Sequence, residues 1–216
     1  MIAPKLIDAV TTSLAATSDS TTTALSTATT VLSDTILVAL LILPPWRRTA
    51  PESTPTYTII GGSGSVNNSL IQCINQDGST VIINSVIGSL TLRSYTLDTT
   101  TGRLQDTVSG NYPCAYYISA PSTDTPPQIA NCQTGTTGPN NYYDYLNCQI
   151  NNGTVSCTAP RAYCITDDDN VITTCVAVPG EGVNNQFYYQ YRSGVGDYLF
   201  ISTGSPSGYT PTSLKA

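Results

Sequence analysis

The chain of 216 residues has no histidine, one tryptophan, one methionine and two phenylalanines, and only 10% of its residues are charged. Without histidine it lacks the commonest general base, the base of the usual Ser or Cys triad and the commonest transition-metal ligand. Eight Lys plus Arg stand against fourteen Asp plus Glu, for a net charge of -6. So few cations in an acidic chain cannot neutralise a run of phosphates, which argues against nucleic acid and against anionic lipid as partners. A long apolar run is also missing. The most apolar stretch, residues 36–43 (ILVALLIL), stops at Pro44-Pro45, whereas a membrane span needs about 20 such residues. The first sixteen residues carry Asp8 inside the would-be apolar core and are diluted by Thr and Ser, so they do not read as a good secretory signal. The chain therefore reads as a fragment of a longer precursor or an incomplete gene model.

What is present is a strand-and-turn composition. Fourteen Tyr, with abundant Thr and Val, favour strands, and Gly, Pro and Asn supply turns. Residues 11–30 hold thirteen Ser or Thr and little to bury. Residues 1–32 are expected to be a disordered stalk or linker, with O-glycosylation as one reading and an unmodified linker as the other. Residues 33–216 are expected to form one all-β domain. Residues 36–43, bounded by Asp34 and two prolines, fit a strand buried on both faces, with a signal-peptide core as the alternative.

From Tyr57 on, short strands alternate with turns. Strands are expected at 57–60, 70–74, 80–83, 89–97, 103–107 and 115–118. After a long Pro/Gly/Thr loop over 121–141, more follow at 143–149, 154–158, 162–166, 171–176, 186–191 and 198–202. Asp77-Gly78 marks a hairpin. An echo at an offset near fifty residues, 95–104 against 146–155, would suit a β-trefoil. No third copy is evident, so a β-sandwich stands beside it.

The seven cysteines form no CxxC pair and fit no zinc ribbon or finger, so disulfides in an oxidising compartment are expected. Asn152-Gly153 is the strongest type I′ turn signal. If it is the turn, paired residue numbers sum to 305, placing Cys148 opposite Cys157 at a non-hydrogen-bonded site, where side chains are closest. The same arithmetic about Asp169-Asn170 pairs Cys164 with Cys175, at a hydrogen-bonded site. Cys114–Cys132 follows by elimination, leaving Cys73 unpaired. Two sequons, at Asn67 and Asn152, are candidate N-glycosylation sites.

From Thr35 onward the chain resembles uncharacterised domains of secreted filamentous-fungal proteins. An apolar first strand follows a Ser/Thr-rich stretch, and Arg47-Arg48 precedes Tyr57-Thr-Ile-Ile-Gly-Gly62. Leu146 to Cys157 reads Leu-x-Cys…Asn-Gly-x-x-x-Cys, and Tyr198 to Leu214 closes the chain with Tyr-Leu-Phe-Ile-Ser-Thr-Gly…Gly-Tyr-x-Pro-x-x-Leu. The resemblance implies a secreted or wall-associated protein on a Ser/Thr-rich stalk, and supplies no catalytic residues.

Few residues suggest chemistry. Asp167-Asp168-Asp169-Asn170 is a cluster of oxygens of the kind calcium takes, without EF-hand spacing; a solvated turn is the expected reading. No pair among the carboxylates stands out for glycosidase work. Tyrosines cluster at Tyr116-Tyr117, at Tyr142, Tyr143, Tyr145 and at Tyr188, Tyr189, Tyr191. The last two clusters, beside several Asn and Gln, are the candidate ligand-binding residues, since an aromatic face can stack on a sugar. The alternative is that these rings are strand residues packing inward. The expectation is a non-catalytic extracellular module of a cell wall or surface, structural or adhesive. It needs no metal or cofactor and has a wall polysaccharide or other glycan as its possible class of partner. A carbohydrate-binding module and a glycoside-active enzyme are the alternatives.

Overall fold

Turn chemistry cuts this chain into short strands, and sheet pairing then joins distant ones. The computed structural model describes residues 54–117, 120, 122–132, 135, 137–166 and 172–216. The proposed stalk, the apolar run 36–43 and the acidic cluster 167–170 lie outside the described residues. Strands β1 to β10 are Thr56–Tyr57, Ile60–Gly61, Ile71–Cys73, Ser79–Thr80, Ile82–Ile83, Thr91–Leu92, Tyr95–Asp98, Arg103–Asp106, Tyr112–Tyr116 and Gln128–Cys132. Strands β11 to β20 are Tyr143–Tyr145, Asn147–Asn151, Thr154–Pro160, Ala162–Thr166, Ile172–Ala177, Val183–Asn184, Gln186–Arg192, Gly196–Ser202, Thr210–Thr212 and Leu214–Lys215. A 3-10 turn spans Gly64–Val66.

The fold is all-β, and its arrangement is sandwich-like. A ten-stranded sheet runs β11-β9-β10-β18-β5-β3-β6, with β17, β19 and β4 joined to it. Its inward positions include Ala115, Ile129, Leu199, Ile201, Phe187 and Tyr189. They share one core with Tyr95 and Leu104 of the sheet β1-β7-β8 and with Val155, Cys157 and Leu214 of the sheet β12-β13-β20-β2. Strand β20 lies between β13 and β2, pairing Leu214 with Val155 on one side and with Gly61 on the other.

Three expected elements are corrected. The loop expected over 121–141 contains β10, the most buried strand of the sheet, with all five residues buried. It reads as loop because Gln128 and Asn131 are polar and Pro126-Pro127 precede it. In the fold Gln128 Nε2 donates to Thr80 Oγ1 at 2.7 Å, which satisfies a buried amide. The strand expected over 89–97 is two strands in different sheets, β6 beside β3 and β7 between β1 and β8. Between them Arg93 turns inward, 2% exposed, and pairs with Asp106 at 2.9 Å. The run 143–149 likewise divides at the buried Leu146 into β11 and β12, on different sheets.

The Asn152-Gly153 hairpin forms in the expected register, with Cys148 opposite Cys157. Both turn residues have positive φ, 50° and 74°, as a type I′ turn requires. The Cys148 N–H points away from its partner strand and donates to Gly102 O at 2.6 Å. The cysteine pair is therefore non-hydrogen-bonded, and its Cα atoms are 4.0 Å apart across the disulfide. Cys164–Cys175 is also bridged, with Cα atoms 4.0 Å apart, but not at the hydrogen-bonded site expected. The register shifts between Ile165 and Thr166, a bulge that reverses the alternation, and the Cys164 N–H donates outward to Ala120 O at 2.7 Å. Cys114–Cys132 joins β9 to β10 diagonally, with Cα atoms 6.0 Å apart. Cys73 is the free thiol, buried. Burial pushes it up to about 11, against the opposing pull of Arg93, so it is a weak nucleophile.

Candidate functional site: a tyrosine strip on the outer face

Residues opposite one another in an antiparallel pair share a sheet face. Tyr143 of β11 faces Tyr116 of β9, and Tyr145 faces Cys114. All four side chains stand on the face turned away from the main core, where Cys114, Ala130 and Cys132 form a small second cluster. Tyr143 stacks on Tyr116 with ring centroids 4.5 Å apart and an interplanar angle of 18°. Tyr145 meets Tyr112 edge to face at 5.6 Å. The Arg103 guanidinium lies 3.7 Å over the Tyr145 ring, a cation–π arrangement. The turn at Asp77-Gly78 rises beside the strip, and a Cβ added to Gly78 would lie 2.6 Å from the Tyr143 hydroxyl.

The six candidate tyrosines do not form one site. Tyr143 and Tyr145 belong to the strip, and the neighbouring Tyr142 is 40% exposed. Strand alternation separates the other three. Tyr189 points into the core, and its hydroxyl accepts a hydrogen bond from Ser65 Oγ at 3.0 Å. Tyr188 is on the outer face but only 2% exposed, its hydroxyl held between Gln186 Oε1 and Gly204 O. Tyr191 is 63% exposed and opposite Asp197. Tyr189 packs inward, and the rings of both Tyr188 and Tyr189 are covered. Tyr112, Tyr116 and Arg103 were not among the candidates. Only pairing between strands distant in sequence brings them to the strip.

Several described carboxylates hold parts of the frame. Asp106 holds Arg93; Asp124 and Glu181 hold Arg161. Asp98 accepts from the Thr100 N–H and the Thr101 hydroxyl, both at 2.8 Å, and these bonds hold its carboxyl below the usual range. Asp197 accepts from Asn84 Nδ2 at 3.3 Å. Asp144 is raised mainly by burial, with the Tyr145 N–H and Arg103 opposing. Among the described residues no three His, Cys, Asp or Glu side chains come together as metal ligands, and no helix is long and apolar enough to cross a membrane. Both sequon asparagines, Asn67 and Asn152, are exposed on turns.

Burial first, then Tyr116 and Asp77, push the Tyr143 phenol up to about 12. Tyr95 and Tyr117 are also raised, each chiefly by burial. The native state thus holds phenolic protons that the unfolded chain releases near its ordinary value of about 10. Stability is expected to begin falling near pH 9, where the unfolded chain would release the Cys73 proton that the fold holds, and to fall more steeply from about 10 to 12 as the tyrosines join. Tyr143→Phe should change neutral stability little and make that fall shallower, read by urea midpoints across the window. An unchanged slope would mean that the Tyr143 hydroxyl is not shielded.

Fold and surface together define a disulfide-locked all-β domain whose outer face carries a tyrosine strip. Compared with protein-family models, with curated proteins and with solved structures, the chain matches none.

Proposed function

We propose that this domain is a non-catalytic extracellular module of a cell-wall or surface protein, structural or adhesive. The observation that carries the reading is the placement of the disulfides. Each joins two adjacent antiparallel strands, closing 9, 11 and 18 residues of chain. A domain stapled strand pair by strand pair resists local opening, and such bonds persist in oxidising compartments. The low charge and the resemblance to secreted fungal domains support the same reading and favour a wall.

A second reading, carbohydrate binding, is favoured by the tyrosine strip. Stacking uses one face of the Tyr116 and Tyr143 rings, and Arg103 covers a face of Tyr145, so a sugar would meet remaining ring faces and hydroxyls. The oxidised protein should be incubated with insoluble chitin, cellulose and β-1,3-glucan while protein depletion and soluble sugar are followed. Adhesion through the strip predicts depletion by at least one polymer, weakened several-fold in Tyr143→Ala/Tyr145→Ala, with no sugar released. Release of reducing ends by the pure protein would overturn the non-catalytic reading. Depletion unchanged in the double variant would remove the strip as the binding surface.

A further inference from the structure

Val66 to Ser69 form a type II turn. The Ser69 N–H donates to Val66 O at 3.0 Å, Asn67 has φ -59° and ψ 127°, and Asn68 has φ 63°. That third position requires positive φ, which Asn tolerates. The turn is pinned to β2 from both sides: Asn68 N–H donates to Gly61 O at 2.8 Å, and Gly61 N–H to Ser69 O at 2.9 Å. Asn67, at the exposed corner, opens the sequon Asn67-Asn68-Ser69. The next two residues form one wall of a shallow surface groove of about 310 Å³.

The rest of that groove has one chemical character. Gln72, Asn84 and Ser85 supply amides and a hydroxyl, and Leu70 and Leu92 supply apolar surface. The two leucines are 37% and 51% exposed. No charged side chain lines the groove, so it offers nothing to pair with an ionic ligand. Neutral amides beside exposed leucines suit a molecule with hydroxyls on its rim and an apolar face, which describes a pyranose. Asn67 immediately precedes Asn68 of the groove wall, its Cα about 3.8 Å away, so a sugar several ångströms across on its exposed side chain is within reach of the groove.

We propose that Asn67 is N-glycosylated and that the groove seats the first N-acetylglucosamine. Asn67 Nδ2 bonds to C1 of the sugar, which leaves a lipid pyrophosphate carrier as the amide loses a proton. The seated ring covers Leu70 and Leu92, while its hydroxyl and acetamido groups bond to the Gln72 amide and to Asn84 Oδ1, the Asn84 Nδ2 being held by Asp197 and the Ser85 hydroxyl by Val195 O and the Ile87 N–H. The glycan is thereby part of the folded surface. The inference rests on the extracellular reading above.

The test uses the whole chain secreted from a eukaryotic host and trimmed by an endoglycosidase to one N-acetylglucosamine per site. Asn67 is expected to be occupied, and the single-sugar form to melt about 2–4 °C above N67Q, a shift typical of a modest contact in a domain of this size. Leu92→Ser should abolish that difference. Loss of the Asn152 sugar through Thr154→Ala, which leaves the turn residues intact, should not reproduce it. An unmodified Asn67 beside an occupied Asn152, an N67Q protein as stable as the single-sugar form, or a difference that survives Leu92→Ser would each overturn the inference alone. A protein that reaches the medium with neither sequon modified would overturn the inference and leave the extracellular reading standing. A protein that cannot be secreted in oxidised form would overturn both.

Discussion

Asp106→Ala is expected to destabilise the domain by about 3–5 kcal/mol, the usual cost of removing one partner of a buried ion pair. The side chains of Arg93 and Asp106 are 0% and 1% exposed. Asp106 accepts from Arg93 Nη1 at 2.9 Å and from the Val108 N–H and the Ser109 hydroxyl, each at 2.8 Å. Alanine would leave a buried guanidinium with the Cys73 carbonyl as its remaining partner, 2.8 Å from Nη2. Arg93 Nε is already without one. The pair also stands at the joint where the chain leaves β6 for β7, so its loss frees the two sheets there. In a domain of this size the melting temperature should drop by on the order of ten degrees. Arg93→Met/Asp106→Leu removes both charges and should recover part of the loss, because the unpaired guanidinium is gone while the Val108 N–H, the Ser109 hydroxyl and the Cys73 carbonyl still lose their partners. Urea unfolding of the three proteins measures this. A loss under about 1 kcal/mol in Asp106→Ala would mean that water reaches the pair.

Cys148→Ser/Cys157→Ser should lower stability by roughly 2.5 kcal/mol, the value the chain-entropy model assigns to so short a loop. Both sulfurs are buried, at 1% and 3% exposure for their residues, so the hydroxyls left behind add to the cost. The hairpin should still form, because its type I′ turn and the bond from Cys148 N–H to Gly102 O do not depend on the bridge. The expected result is a lower urea midpoint with an unchanged native circular dichroism spectrum. A variant as stable as the parent would show that the bridge adds nothing to a register the turn already determines.

That hairpin was legible in the sequence because its information is local. Two residues demand positive φ, and counting outward from them puts two cysteines opposite each other. The second cysteine pair was legible for the same reason, but its position in the hydrogen-bonding alternation was not, since the bulge at Ile165/Thr166 has no mark in composition. Strand β10 was illegible because its polar residues find partners far away: Gln128 bonds to Thr80, 48 residues earlier, and Asn131 lies 3.5 Å from Ser109, 22 residues earlier. Arg93 falls in the middle of the strand expected over 89–97, and its buried position depends on the pairing with Asp106, 13 residues later. The tyrosine strip was half visible. Tyr143 and Tyr145 stood out as a pair with period two, whereas Tyr112, Tyr116 and Arg103 join them through sheet pairing. Tyr188 and Tyr189 looked alike in sequence, yet they lie on opposite faces of one strand.

Non-reducing peptide mapping, combined with thiol alkylation before and after denaturation, tests the account most directly. The predicted linkages are Cys148–Cys157, Cys164–Cys175 and Cys114–Cys132. Cys73, at 1% exposure, should resist iodoacetamide in the folded protein and take up one equivalent once denatured. Cys148 linked to any cysteine but Cys157, or rapid alkylation of Cys73 in the native state, would contradict the disulfide-locked domain from which the extracellular reading is drawn.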